Sequence, residues 1–171
     1  MKKTIAVVLM CAVAMASGFA TAGITVKLSA SPIMLTQEGL VTNFERGEVY
    51  IPITLDLQYE LTDSFRLGFG LSFSSMFTES PSIAASTTYC ATAEYELPIC
   101  SCFSAQGQLG MGFGAFDLSR VFIASATLSA KFGITDSLAV ELGYSAIFGT
   151  AFSEVDTGLL HYPQLGVSYS F

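Results

Sequence analysis

The chain has 171 residues, 51% of them hydrophobic and 12% charged, and its 14 acids against 7 bases give a formal charge of −7. That charged share is about half the ~25% of an ordinary soluble domain. The acidic balance argues against a nucleic-acid partner, which needs clustered bases, and the length suits one domain.

Met1-Lys2-Lys3 is a basic head, residues 5–16 form an apolar run and Ala20-Thr21-Ala22 is a small-x-small cleavage site. These are the parts of a secretory signal peptide, so residues 1–22 are read as an export signal and 23–171 as the mature domain. Cys11 does not make a lipoprotein site, because Met10 stands where a small residue is required. Removing Lys2 and Lys3 leaves 5 bases against 14 acids, a charge of −9.

The longest charge-free stretch of the mature chain, 97–116, is broken by Pro98, Ser101, Ser104, Gln106, Gln108 and several glycines. It cannot supply the roughly 20 consecutive apolar residues of a spanning helix. The other way to cross a bilayer is a closed β-barrel, in which every backbone group is bonded within the wall.

Period-two alternation, the mark of a strand with two unlike faces, recurs eight times. Ile24, Val26 and Leu28 alternate with Thr25, Lys27 and Ser29. The cleanest run sets Val49, Ile51, Ile53, Leu55, Leu57, Tyr59 and Leu61 against Pro52, Thr54, Asp56, Gln58 and Glu60. Phe65, Leu67, Phe69, Leu71 and Phe73 then oppose Arg66, two glycines and two serines, and Tyr89, Ala91, Ala93, Tyr95 and Leu97 oppose Cys90, Thr92, Glu94 and Glu96. The fifth run (103–114) is glycine-rich on its small face, the sixth (122–134) carries Lys131 on that face and the seventh (138–148) carries Glu141. In the eighth, Leu165, Val167, Tyr169 and Phe171 share one parity, while Gln164, Gly166, Ser168 and Ser170 share the other. The predicted fold is all-β, an eight-stranded antiparallel up-and-down transmembrane barrel, even-numbered as bacterial barrels are.

The connections alternate in length. Thr62-Asp63-Ser64, residues 98–102 and Thr135-Asp136-Ser137 are short turns built of residues that bond their own backbone; 31–47, 75–86 and 149–162, which hold Glu38, Glu79 and Glu154, are longer. The link at 116–120 is the short exception. Aromatics gather toward both strand ends, with Tyr59, Phe65, Tyr95, Phe103, Phe132, Tyr169 and Phe171 toward one and Phe73, Phe77, Tyr89, Phe113, Phe116, Phe122 and Phe148 toward the other, as interfacial belts do. A soluble eight-stranded barrel of lipocalin type would turn the apolar face inward. Its exterior would then need charge, whereas the polar face here is mostly Gly, Ser, Thr and Gln.

A chain ending on Phe171, with Tyr169, Val167 and Leu165 at alternate positions before it, resembles the closing strand of bacterial outer-membrane barrels. With the export signal, the eight runs and the Thr-Asp-Ser turns, the resemblance spans the mature chain and points to the small barrels typified by OmpA, OmpX and OmpW. It implies an integral outer-membrane protein with periplasmic termini and Tyr169 and Phe171 as its assembly signal. The implied partners are outer-membrane lipids, the barrel-assembly machinery and an extracellular or host ligand at the surface loops. OmpW-like barrels carry tryptophan, and this chain has none.

Catalytic candidates are few. His161, the sole histidine, is followed by Tyr162 and Pro163 and so lacks the His-x-Ser spacing of outer-membrane lipid A deacylases. Cys100 and Cys102 are too few for a structural zinc site and badly placed for a bridge across one residue. No enzyme, cofactor or metal site is read from the chain. The informative residues are the inward charges. Glu60 and Arg66 flank Asp63 symmetrically and Lys131 and Glu141 flank Asp136, which predicts two cross-strand ion pairs; Lys27 is set against Asp56, Glu94 and Glu96. Three bases against five acids leave two negative charges in excess. Two functions stay open: a structural or surface-interaction protein, or a narrow channel for small solutes or ions across the outer membrane, for which the OmpA resemblance implies a charged gate. An eight-stranded lumen excludes a broad pore.

Overall fold

The computed structural model describes residues 23–31, 35–36, 49–77, 85–116, 119–151 and 157–171. The expected signal peptide, the carboxylates Glu38, Glu79 and Glu154, and the side chains of Phe77 and Phe116 lie outside what it describes. The strands are β1 (Ile24–Ala30), β2 (Leu35–Thr36), β3 (Val49–Thr62), β4 (Phe65–Phe77), β5 (Ala85–Cys100), β6 (Phe103–Phe116), β7 (Ser119–Gly133), β8 (Leu138–Ala151) and β9 (Thr157–Ser170).

All pairings are antiparallel, and β1 joins both β3 and β9, which closes the sheet. The barrel therefore has eight staves: β1 and β3 to β9. The two-residue β2 falls inside the connection predicted over 31–47; it pairs Leu35 with His161 and Thr36 with Leu160, further along β9 than β1 reaches. Strands β3 to β9 are 13 to 16 residues long, more than the roughly 9 to 11 needed to cross the hydrocarbon, and β1 has seven.

The alternation sets the faces. Leu109 is 66% exposed, Met111 62% and Leu128 73%, and Leu57, Leu67, Phe69, Leu142, Leu165 and Val167 also face outward. Among the described residues, fourteen polar or charged side chains are buried and six apolar ones. This inverts a soluble core and rules out the lipocalin arrangement, because an apolar exterior of this extent is stable only against lipid. Rings pair along both ends of the wall, Phe103 with Phe132 and Tyr169 with Phe171 at 4.8 Å, and Phe113 with Phe122 at 5.9 Å.

The two Thr-Asp-Ser turns are structural copies. Thr62 Oγ1 accepts from Phe65 N at 3.0 Å, and Thr135 Oγ1 accepts from Leu138 N at 2.9 Å. The turn predicted over 98–102 is tighter than expected: β5 runs on to Cys100 through an irregularity between Pro98 and Cys100, which leaves Ser101 and Cys102 as the turn. The last connection is also shorter than 149–162, because β8 extends to Ala151 and β9 starts at Thr157. Gly23 and Phe171 lie at the end of the barrel that carries the Thr-Asp-Ser turns, with Gly23 N donating to Phe171 O at 3.3 Å and Phe171 N to Ile24 O at 2.9 Å.

Candidate functional site

Every stave sends alternate side chains into one narrow lumen. In its terminal half seven charged residues form a continuous network. Arg66, on β4, is 5% exposed and donates to Glu60 at 3.0 Å, to Glu94 at 3.0 Å and to Glu96 at 2.5 Å. Lys27, on β1, reaches across to Glu94 on β5 at 2.6 Å and Glu141 on β8 at 3.2 Å. Lys131, on β7, holds Glu96 at 3.0 Å. Neutral groups complete the acids' valences: Ser104 Oγ donates to Glu96 at 2.6 Å, Gln58 Nε2 to Glu94 at 3.1 Å and Gln106 Nε2 to Glu96 at 3.1 Å. Charges removed from water persist only when bonded in this way.

Of the two predicted cross-strand pairs, the structure brings Glu60 and Arg66 together, opposite each other in register. Lys131 and Glu141 are also opposite in register, yet they do not form an ion pair. Lys131 turns to Glu96 and Glu141 to Lys27. Lys27 likewise passes over Asp56, its register partner, for Glu94 and Glu141. In an eight-stranded barrel the opposite wall is within reach of a long side chain, so an acid two or more staves away competes with the neighbour. Asp56 is left buried without an ion pair among the described residues.

Beyond the network the lumen changes character. Cys90, Val121 and Ile123 pack together with Ile147, and Leu160 and Tyr162 are buried at the same end. Tyr162, expected in the connection over 149–162, lies in β9, points inward and is 4% exposed. Gly112 makes room here, since a Cβ on it would collide with the backbone of Tyr89 and Cys90. Between this layer and the network lies a cavity of about 50 Å³ bounded by Thr54, Asp56, Thr92, Gln108 and Tyr162. A vestibule of about 440 Å³ opens at the terminal end, where Glu96, Lys131 and Asp136 meet the Cys100 and Cys102 turn. Both of these thiols are free and exposed, 3.8 Å apart.

His161 sits in β9, and its Nδ1 is hydrogen-bonded to the Tyr144 hydroxyl. Tyr169 is outward on β9 and Phe171 packs on it. Among the described residues no group of three or more metal-ligating side chains occurs.

No family model and no curated protein matches the chain. Solved structures do. The Neisserial surface protein A barrel superposes with a TM-score of 0.68 at 12% identity, over 88% of this chain and 98% of that one. Ail, the attachment invasion locus protein of Yersinia pestis, gives 0.55 at 17% identity, over 88% and 100%. The outer-membrane enzyme PagL gives 0.53 at 13% identity, over 85% and 99%. Identities this low speak to architecture, and with the closed antiparallel sheet, the lipid-suited exterior and the polar lumen they settle it: the chain has the fold of the small eight-stranded outer-membrane β-barrels.

Proposed function

We propose that the protein is a sealed outer-membrane anchor, termini in the periplasm, that displays its far-end connections to partners outside the cell. The observation that carries this reading is the blocked lumen: the Arg66, Lys27 and Lys131 network fills one half and the Val121, Ile123, Leu160 and Tyr162 layer the other. The cavity between them, among the described residues, is about 50 Å³, room for a water or two rather than a path. Lipids surround the wall, the barrel-assembly machinery reads Tyr169 and Phe171, and an extracellular or host ligand meets the loops around 31–47 and 152–156. The likeness to a surface protein and to an attachment and invasion protein supports this role. No catalytic role is proposed for His161, since the resemblance to a lipid A deacylase fails at Pro163.

The test is accessibility in intact cells. Single cysteines placed at Glu38, Glu79 and Glu154, in a background where the native cysteines are serine, should react with an impermeant maleimide; cysteines at Asp63 and Asp136 should not. The reverse pattern would overturn the orientation.

A second reading, a narrow charge-gated channel, is favoured by Arg66 alone. It holds three acids at once, so partners are available for a switch, and the 440 Å³ vestibule leads to that point. Planar-bilayer recording separates the two readings: silence from the wild type and from Arg66→Ser leaves the anchor, while cation-selective steps enlarged by Arg66→Ser establish the gate.

A further inference from the structure

The lumenal charges do not balance. Asp56, Glu60, Glu94, Glu96 and Glu141 face Lys27, Arg66 and Lys131, five acids against three bases, which leaves an excess of two negative charges. Glu60, with its side chain 30% exposed, lies at the mouth within reach of water. Asp56 lies deeper, with the neutral Gln108 as its hydrogen-bond partner and no ion pair among the described residues. It is 7% exposed, and the ammonium opposite it in register, Lys27, is held by Glu94 and Glu141.

The wall beside Asp56 mixes hard oxygens with the Cys90 thiol, the Gln108 amide and the apolar Ile123 and Ile147. The cavity of about 50 Å³ that it borders also carries Thr54, Thr88, Thr92, Ser125 and Tyr162. Thr92 is 8% exposed, and its Oγ1 has no hydrogen-bond partner. Gly70 is part of the construction, because a Cβ there would run into Asp56 Oδ1. A buried carboxylate without a counter-charge and a buried hydroxyl without a partner are each costly. Here they border the same small space, large enough for an ion or for one or two waters.

We propose that this cavity binds one alkali-metal cation, with the Asp56 carboxylate as its charged ligand and the Thr92 hydroxyl among its neutral ones. A single carboxylate with hydroxyls is too little charge for tight calcium binding, which draws on several carboxylates, and magnesium gives up its water reluctantly. Cys90 is a single thiol on this wall, too little for soft metals, which prefer sets of thiolates. The ion restores one of the two missing positive charges. It does so whether or not the lumen conducts, so the inference stands apart from the choice between anchor and channel.

The experiment compares unfolding of the refolded barrel in detergent by urea in sodium, potassium and choline chloride at equal ionic strength. Choline screens charge equally but is too large to enter the cavity. At an alkali concentration ten times the dissociation constant the unfolding equilibrium constant should fall about tenfold relative to choline. Asp56→Asn should abolish the difference and Thr92→Val should reduce it. Equal stability of the wild type in all three salts would overturn the proposal and assign the missing charge to a proton on Asp56; an alkali preference that survives in Asp56→Asn would overturn the location. Should Asp56→Asn fail to refold, wild-type crystals grown in rubidium chloride decide the matter: anomalous density beside Asp56 supports the site, and none there refutes it.

Discussion

The two halves of the lumen obey the same inward parity and are filled by opposite chemistry. In the terminal half Arg66, Lys27 and Lys131 tie four glutamates from β3, β5 and β8 into one network. In the far half Cys90, Val121, Ile123 and Ile147 pack without any such bonding. A charged side chain must find its opposite wherever that lies, so the terminal half links staves that are not neighbours. An apolar side chain needs only volume filled, so the far half is held by shape. The network specifies which strands face one another across the barrel, and the apolar layer closes whatever space that leaves.

The contrast can be broken from either side. Replacing Arg66 with Met removes one cation from three acids at once and should destabilise the refolded barrel by about 3 to 5 kcal/mol, the range for a buried ion left unpaired, as measured by urea unfolding in detergent. Ile123→Ala, at a fully buried position, should cost about 2 to 4 kcal/mol through the cavity it leaves, without altering the pH dependence of unfolding. Double-mutant cycles sharpen the comparison. Lys27 with Glu141, bonded across the lumen, should couple by about 0.5 to 3 kcal/mol, whereas Lys131 with Glu141, opposed in register but unbonded, should add to within about 0.5 kcal/mol. A strong Lys131–Glu141 coupling would restore neighbour pairing as the organising rule. The smallest effect is expected from replacing Cys90, Cys100 and Cys102 together with serine. None of these thiols is in a disulfide, and the loss should stay near 1 kcal/mol or below, with the folded band on a gel unchanged.

The strand count, the faces and the closing turns were legible because each is a local property. Alternation over 49–61 or 165–171 assigns a side of the wall without reference to any other strand, and Thr62 and Thr135 bond within their own turns. The register partners Glu60 and Arg66 followed from the symmetry about Asp63 for the same reason. The choices of Lys27 and Lys131 were not legible, because they depend on how far a side chain reaches across a closed lumen, which spacing along one hairpin does not encode. Strand ends at the far side were also hidden: residues 157–162 contain Gly158 and Pro163 nearby and read as a loop, yet they pair with β8, and His161 with β2. The excess acid was countable from the sequence; that Asp56 is the one left over required the geometry.

The seam between β1 and β9 has a consequence in time. Every other long ladder joins staves that follow one another along the chain, with only the two-residue β2 intervening between β1 and β3, whereas this one pairs Thr25 with Ser170 and Ala30 with Leu165. The barrel therefore cannot shut until its final residues have arrived, and the last contact is made by the shortest stave, seven residues long. Loop closure over that sequence distance is slow, so an open sheet with a bare β1 edge should precede the finished cylinder. The juxtaposed ends also make the order of staves cyclic. A permuted chain that links Phe171 to Gly23 by a short turn and begins instead between β4 and β5 would keep every ladder, while moving the late step to a seam of eleven paired residues.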